Sequence, residues 1–326
     1  MTTSPHTAMP VVQVAFSALD IEATTAWYRD VLGFLPAGGV NGGGAGSGAM
    51  MGLPSLHTDL VKMVDNADLF QLEFFRFHEP VPQPTDRHPS DTGWALVGLY
   101  VDDLDAALSR LRAAGAPIGP VLGEGTGRRV VARDPEGVWL ELRERTPGIG
   151  PPEVRRAQVT TGFVRAVVSD LDQAREFFSG GLGLRDTGTT LHHPADEALW
   201  SSPATGTRSA VLSTGGKLDG LLIELVQYTD RTPRPRPANY QLCDQGFLNV
   251  AFGSRSVADY EAVTEQISNG GYRLHPEMSH GTARARYLLG ADDLSVELIA
   301  IPDKDLEKIH GFEPTSDREP TTRSRP

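Results

Sequence analysis

The chain repeats one pattern four times, and an internal repeat constrains architecture before any single residue does. Each copy opens on a short apolar run ending in a residue that can start a helix. These runs read QVAFSALD, LVGLYVDD, FVRAVVSD and NVAFGSRS, with Asp20, Asp103, Asp170 and Ser256 at the helix starts. Each copy closes on a run with one glutamate among apolar neighbours. These read FQLEFF, VWLELR, LIELVQ and SVELIA, and carry Glu73, Glu141, Glu224 and Glu297. The separation from helix start to glutamate alternates, at 53, 38, 54 and 41 positions. Asp170 follows Asp20 by 150 positions, and Ser256 follows Asp103 by 153. Tandem duplication of a two-module unit accounts for both regularities.

Within each module the apolar period switches from two to three-and-four. In the first strand Val12, Val14 and Phe16 are expected on one face, with Gln13, Ala15 and Ser17 on the other. Asp20 then caps a helix running to Leu32, and Gly33 stops it. The stripes Leu104, Ala107, Leu108, Leu111, then Leu171, Ala174, Phe177, Phe178, then Val257, Tyr260, Val263, Ile267 predict the other three helices. Short strand-like runs follow each helix, with turns such as RDPEG at 133–137 between them. Each module therefore reads β-α-β-β-β, and the fold class is α+β.

The layout expected is an N-terminal arm over 1–10, a first module pair over 11–150 (modules 11–80 and 92–147), and a second over 157–302 (modules 157–230 and 244–302). A mobile tail, rich in charge, Pro, Ser and Thr, is expected over 303–326. The run GGVNGGGAGSGAM lacks the Lys-Ser/Thr of a phosphate loop; a flexible surface loop is the plain expectation and a lid the functional one. The net charge of −12 argues against nucleic acid and anionic membrane surfaces as partners. A lone cysteine, Cys243, fits a reducing compartment and a packing role. The start MTTSPHTAMP shows no secretory pattern and no run reaches transmembrane length, so a cytoplasmic protein is expected.

The four modules, the WYRDVLGF segment after the first capped helix and the RDPEGVWLEL strand resemble the vicinal oxygen chelate superfamily, which includes glyoxalase I, bleomycin-resistance proteins and extradiol dioxygenases. The resemblance spans roughly residues 11–300. It implies modules paired into two half-open barrels, with ligands on the first and last strand of each module. The first-strand position lies seven residues before the helix start, giving Gln13, Leu96, Phe163 and Asn249. The last-strand position gives the four glutamates. No first-strand histidine is present, which disfavours a ring-cleaving dioxygenase with its two histidines and one carboxylate.

Pairing of modules one with four and two with three would put both amides, Gln13 and Asn249, in one barrel. Gln13, Glu73, Asn249 and Glu297 are then the expected metal set, with Glu141 and Glu224 as alternatives. Adjacent pairing would instead draw the site around Gln13, Glu73 and Glu141. The all-oxygen set suits a divalent ion (Mg, Mn, Fe or Zn), Mg²⁺ and Mn²⁺ best; no organic cofactor is implied. Without metal, Glu297 or Glu73 would serve as general base. The expected activity is that of a lyase or isomerase on a small oxygenated substrate. A non-catalytic binding or resistance protein is the alternative, and the assembly is a monomer or homodimer. Arg284 and Arg286 share a strand face, expected to be solvated or to hold a substrate carboxylate.

Overall fold

The computed structural model describes residues 7–124, 127–155 and 157–315, with the backbone of 322–323. Four helices begin where the capping chemistry places them. Asp20 accepts from Ala23 N, Asp103 from Ala106 N, Asp170 from Asp172 N and Gln173 N, and Ser256 from Asp259 N. Module one comprises β1 (Val11–Ser17), α1 (Ile21–Trp27, continued by a wider π-turn over Tyr28–Leu32), β2 (Leu35–Gly43), α2 (Ala45–Met51), β3 (His57–Val64) and β4 (Gln71–Glu79). Gly33 ends the first helical segment at φ 81°. Module two holds β5 (Gly93–Val101), α3 (Leu104–Ala113), β6 (Arg129–Arg133) and β7 (Trp139–Glu144). Module three holds β8 (Val159–Val167), α4 (Leu171–Glu176, again continued by a π-turn, Phe177–Gly181), β9 (Arg185–Asp186), β10 (Thr207–Ser213) and β11 (Leu222–Tyr228). Module four holds β12 (Gly246–Ser254), α5 (Val257–Asn269), β13 (Met278–His280), β14 (Ala283–Leu289) and β15 (Ser295–Ala300).

The strands form two sheets, and neither joins module one to module two or module three to module four. One runs β13-β14-β15-β12-β1-β4-β3-β2, joining modules four and one through the antiparallel pair β1–β12. The other runs β6-β7-β5-β8-β11-β10-β9, joining modules two and three through β5–β8. Helices supply the complementary link between neighbours. Arg110 Nε of α3 donates to Val31 O at 2.7 Å, tying module two to module one. Phe177 stacks edge-on against Tyr272, and Gln266 Nε2 donates to Gly181 O, tying module three to module four. The helices thus lie between two curled sheets. Their apolar stripes and the inner sides of both sheets merge into one core that includes Phe16, Tyr28, Phe74, Leu108, Phe178 and Ile267.

Several local expectations are corrected. The glycine-rich run is not a flexible loop: it forms part of β2 and α2, and Met50 and Met51 pack into an apolar cluster with Phe75 and Leu248. Val12 does not share a face with Val14 and Phe16, because the β1–β12 register shifts between Val11 and Gln13; it packs with Ala251 and Ile299. Residues 7–10 of the supposed loose arm are packed: Met9 is fully buried and its N–H donates to Leu182 O. The supposed tail forms α6 (Lys304–Ile309) and then buries Phe312 against Val12 and Ile299. One aromatic with a prepared apolar seat outweighs the polar composition around it. Residues 1–6 and 316–321 lie outside the described residues. Arg284 and Arg286 engage Glu277, and Arg286 also donates to Tyr260 OH, so their face is occupied by protein partners.

Candidate active site

The concave side of the sheet of modules one and four gathers the polar residues singled out on its strands. On β1, β4, β12 and β15 the apolar residues Val14, Phe74, Val250 and Leu298 point to the helices. The alternate positions Gln13, Glu73, Asn249 and Glu297 point into the half-barrel, all between 0% and 6% exposed. Gln13 Nε2 donates to Glu73 Oε2 at 2.8 Å and to Glu297 Oε2 at 3.1 Å, so one amide bridges both carboxylates. Asn249 Nδ2 donates to Glu297 Oε2 at 3.2 Å and accepts at Oδ1 from Tyr287 OH at 3.3 Å.

Three further residues complete the cluster and were not singled out from the sequence. Lys62 lies directly opposite Glu73 in the β3–β4 register, and its Nζ sits 2.9 Å from Glu73 Oε1. The same Nζ donates to His310 O at 2.7 Å, which fastens the segment after α6 over the site. The Gln71 amide lies 2.7 Å from Gln13 Oε1 and holds the bridging amide from behind. Turned over, the Gln71 amide would instead donate to His310 O at 2.9 Å and Gly311 O at 2.8 Å. Tyr287 is buried above Asn249. A lysine within the apolar second half of the strand, LVKMV, was the available signal for Lys62.

The electrostatics separate the two glutamates. Glu73 has an ammonium partner; Glu297 has neutral donors. Burial, and then the charge of Glu73, push the Glu297 carboxyl up to about 8. The same burial and the two carboxylates hold the Tyr287 phenol well above its ordinary value. The pocket floor therefore sets the Lys62–Glu73 ion pair beside a Glu297 carboxyl that holds its proton more strongly than a free side chain. Apolar side chains surround it, including Phe75, Phe77, Leu248 and Met51 on one side and Ile299 and Phe312 on the other.

The other half-barrel answers the same problem differently. Glu141 and Glu224 are fully buried, and Arg165 lies between them, with Nε donating to Glu224 Oε2 at 2.6 Å and Nη2 to Glu141 Oε2 at 3.3 Å. Arg143 adds a 2.6 Å bond to Glu141 Oε1. Burial opposes the Glu141 charge, but Arg143, Arg165 and Arg129 outweigh it and hold the carboxyl down at about 2. Leu96 and Phe163 lie in the surrounding apolar cluster. This interior is a charge-neutralised core.

The donor set of the first half-barrel, as arranged, does not suit a divalent ion. The Lys62 ammonium already occupies Glu73, at 2.9 Å from Oε1. Among the described residues no group of three or more His, Cys, Asp and Glu side chains is placed to hold a metal. A cavity of about 590 Å³ lies elsewhere, at the end of α1, lined by Arg29, Asp30, Phe34, Leu35 and Gln158. Glu73 and Glu297 are each only 6% exposed, so the carboxylate floor is closed to a ligand in this conformation. Among the described residues no helix is long and apolar enough to cross a membrane.

Residues 11–142 match the family model of the Glyoxalase/Bleomycin resistance protein/Dioxygenase superfamily. Over 136 residues the chain is 28% identical to the anthracycline biosynthesis protein DnrV of Streptomyces peucetius, covering 40% of this chain and 49% of that protein. The chain thus spans about half the length of the curated relatives it matches. Among solved structures, a candidate dioxygenase from Bacillus subtilis superposes with a TM-score of 0.65 at 16% identity, over 94% of this chain and 91% of that one. Glyoxalase I from Zea mays superposes with a TM-score of 0.62 at 17% identity, over 92% and 96%. The chain has the vicinal oxygen chelate fold in tandem form, and its residues 11–142 carry the sequence pattern of the Glyoxalase/Bleomycin resistance protein/Dioxygenase superfamily.

Proposed function

We propose that the half-barrel of modules one and four catalyses a metal-independent proton transfer, of lyase or isomerase type, on a small oxygenated carbonyl compound. The observation that carries this reading is the asymmetric carboxylate pair: Gln13 bridges Glu73 and Glu297, but only Glu73 has a cation, Lys62. Glu297, titrating near 8, is matched to move a proton near neutral pH. As a carboxylate it would take the proton α to a carbonyl. The electron pair then passes to the carbonyl oxygen, where the amide N–H groups of Gln13 and Asn249 and the Lys62 ammonium are the available donors. The aromatic and aliphatic walls favour an apolar substrate body. The names of the matching relatives, both anthracycline biosynthesis proteins, support an aromatic ketone related to anthracyclines.

A second reading, capture of such a ligand without chemistry, draws on the same apolar walls. Exchange of α-protons for solvent deuterium in enolisable aryl ketones, followed by NMR, separates the two. Catalysed exchange that the folded Glu297→Gln protein loses, while ketone affinity persists, supports the enzyme. Binding by the wild-type protein with no exchange at all supports capture. Undiminished exchange in folded Glu297→Gln would remove Glu297 from the mechanism.

A further inference from the structure

The linkers from module one to two and from module three to four contain HEPVPQPTDRHPS and TDRTPRPRPAN. Their prolines withhold the N–H groups that a strand or helix would use. The two linkers are fastened to each other instead. Thr92 N donates to Arg234 O and Gln245 N to Gln83 O, while Arg87 donates to Pro235 O at 3.0 Å and to Thr92 O at 2.7 Å. Beside this crossing lies a cavity of about 40 Å³, lined in part by Arg87, Arg236, Trp94, Trp139, Phe247 and Tyr240. None of Gln13, Glu73, Asn249 and Glu297 lines it. We propose that this cavity binds the carboxylate of an aromatic acid, with the Arg236 guanidinium as its fork and Arg87 as a second positive charge.

Positive charge is in excess at the crossing, in a chain whose net charge is −12. Arg234 Nη2 lies 2.6 Å from Asp91 Oδ2 and Arg87 Nε 3.8 Å from the same oxygen, so one buried carboxylate serves two arginines. Arg236 has no carboxylate partner among the described residues; its Nη1 donates to Asp293 O at 2.7 Å. The Nε and Nη2 of Arg236 have no acceptor among the described residues, and that edge of a guanidinium takes a carboxylate through two parallel bonds. The edge lies over Gly93, at φ 124°, where a Cβ would come within 3.3 Å of both nitrogens. Burial holds the Arg87 guanidinium below its ordinary value against the pull of Asp91, and the charges of Arg236 and Arg234 add to that. An anion between Arg87 and Arg236 relieves this repulsion. Glu136, the carboxylate in the lining, is already engaged: Oε1 accepts from Asp20 N and Thr24 Oγ1 at 2.9 Å, and Oε2 from Gln245 Nε2 at 2.7 Å. One water needs about 10–15 Å³ of such a cavity, so the space admits a carboxylate head and no ring. The ring then rests outside, against the half-buried Trp139, Phe247 and Tyr240.

The test uses the full chain and benzoate, followed by saturation-transfer NMR and calorimetry, with inorganic phosphate as a parallel arm. Benzoate is expected to bind with one-to-one stoichiometry, and more weakly as salt rises. Arg236→Gln is expected to lose at least ~10-fold in affinity. Arg236→Lys, which keeps the charge without the fork, is also expected to bind more weakly than wild type, and it serves the comparison if the glutamine variant does not fold. Glu297→Gln is expected to bind benzoate as the wild-type chain does, which separates this cavity from the half-barrel and leaves the proton-transfer reading to its own test. Four results would overturn the proposal: no benzoate binding by the wild-type chain, undiminished binding by a folded Arg236 variant, binding lost in folded Glu297→Gln, or phosphate bound more tightly than benzoate, which would mark a phosphoryl site.

Discussion

Glu297 and Arg165 show how one residue's surroundings decide what a buried charge does. Glu297 sits beside a second carboxylate with neutral donors, and its carboxyl is held up at about 8. Its folded value lies above its unfolded one, so the native state keeps the proton longer. Its contribution to stability is full below about pH 4.5 and is lost as pH rises toward 8, by about 1.4 kcal/mol for each pH unit crossed. Denaturant titrations at pH 5 and pH 9 should therefore show a smaller loss of stability for Glu297→Gln than for the wild-type chain. An equal loss would mean that Glu297 ionises without cost. Arg165 presents the opposite case, with both neighbours charged and paired. Replacing it with Ala strands the fully buried Glu224, while Glu141 keeps Arg143, and should cost about 3–5 kcal/mol in chemical denaturation. Of these residues the sequence displayed the glutamates and amides openly, through position in a repeat. It also displayed Lys62 and Arg165 as charges inside apolar strands, but strand pairing was needed to say which carboxylate each one meets.

Elements form here for local reasons, and they are positioned for tertiary ones. The four caps are local: each side chain satisfies an N–H two or three residues ahead, so the helix starts at Asp20, Asp103, Asp170 and Ser256 were readable in advance. Asp103→Ala should cost about 1 kcal/mol in thermal or denaturant unfolding, through loss of the Ala106 N–H bond. The segments after β2 and after α6 behave otherwise. α2 is rich in Gly and Ala, and α6 is largely charged, so neither announces a packed element by its own pattern. Each is ordered by what it covers: α2 by the cluster around Phe75, the segment after α6 by the seat of Phe312 and the Lys62–His310 bond. Phe312→Ala should lower stability by about 3–5 kcal/mol in chemical denaturation.

At the scale of the whole molecule, the chain is knitted by two rules that cross each other. Strands join module one to four and two to three, while helices join one to two and three to four. A fragment of residues 7–155 would keep the helix contacts but expose the long apolar inner strands β1 and β5 as unpaired edges. It should self-associate or aggregate in size-exclusion chromatography, and a folded monomer would contradict the crossed arrangement. The sequence by itself determined the module count, the opening strand and helix of each module, the helix starts and the inward glutamates. Those features depend on short-range periodicity and on caps that close within one turn. Only the tertiary structure decided that the two glutamates near Gln13 have different partners, that Lys62 stands on one of them, and that the segment after α6 is tied to Lys62. These depend on contacts between residues up to 284 positions apart, such as Gln13 and Glu297, whose energies are set by burial and by which charges share a cavity.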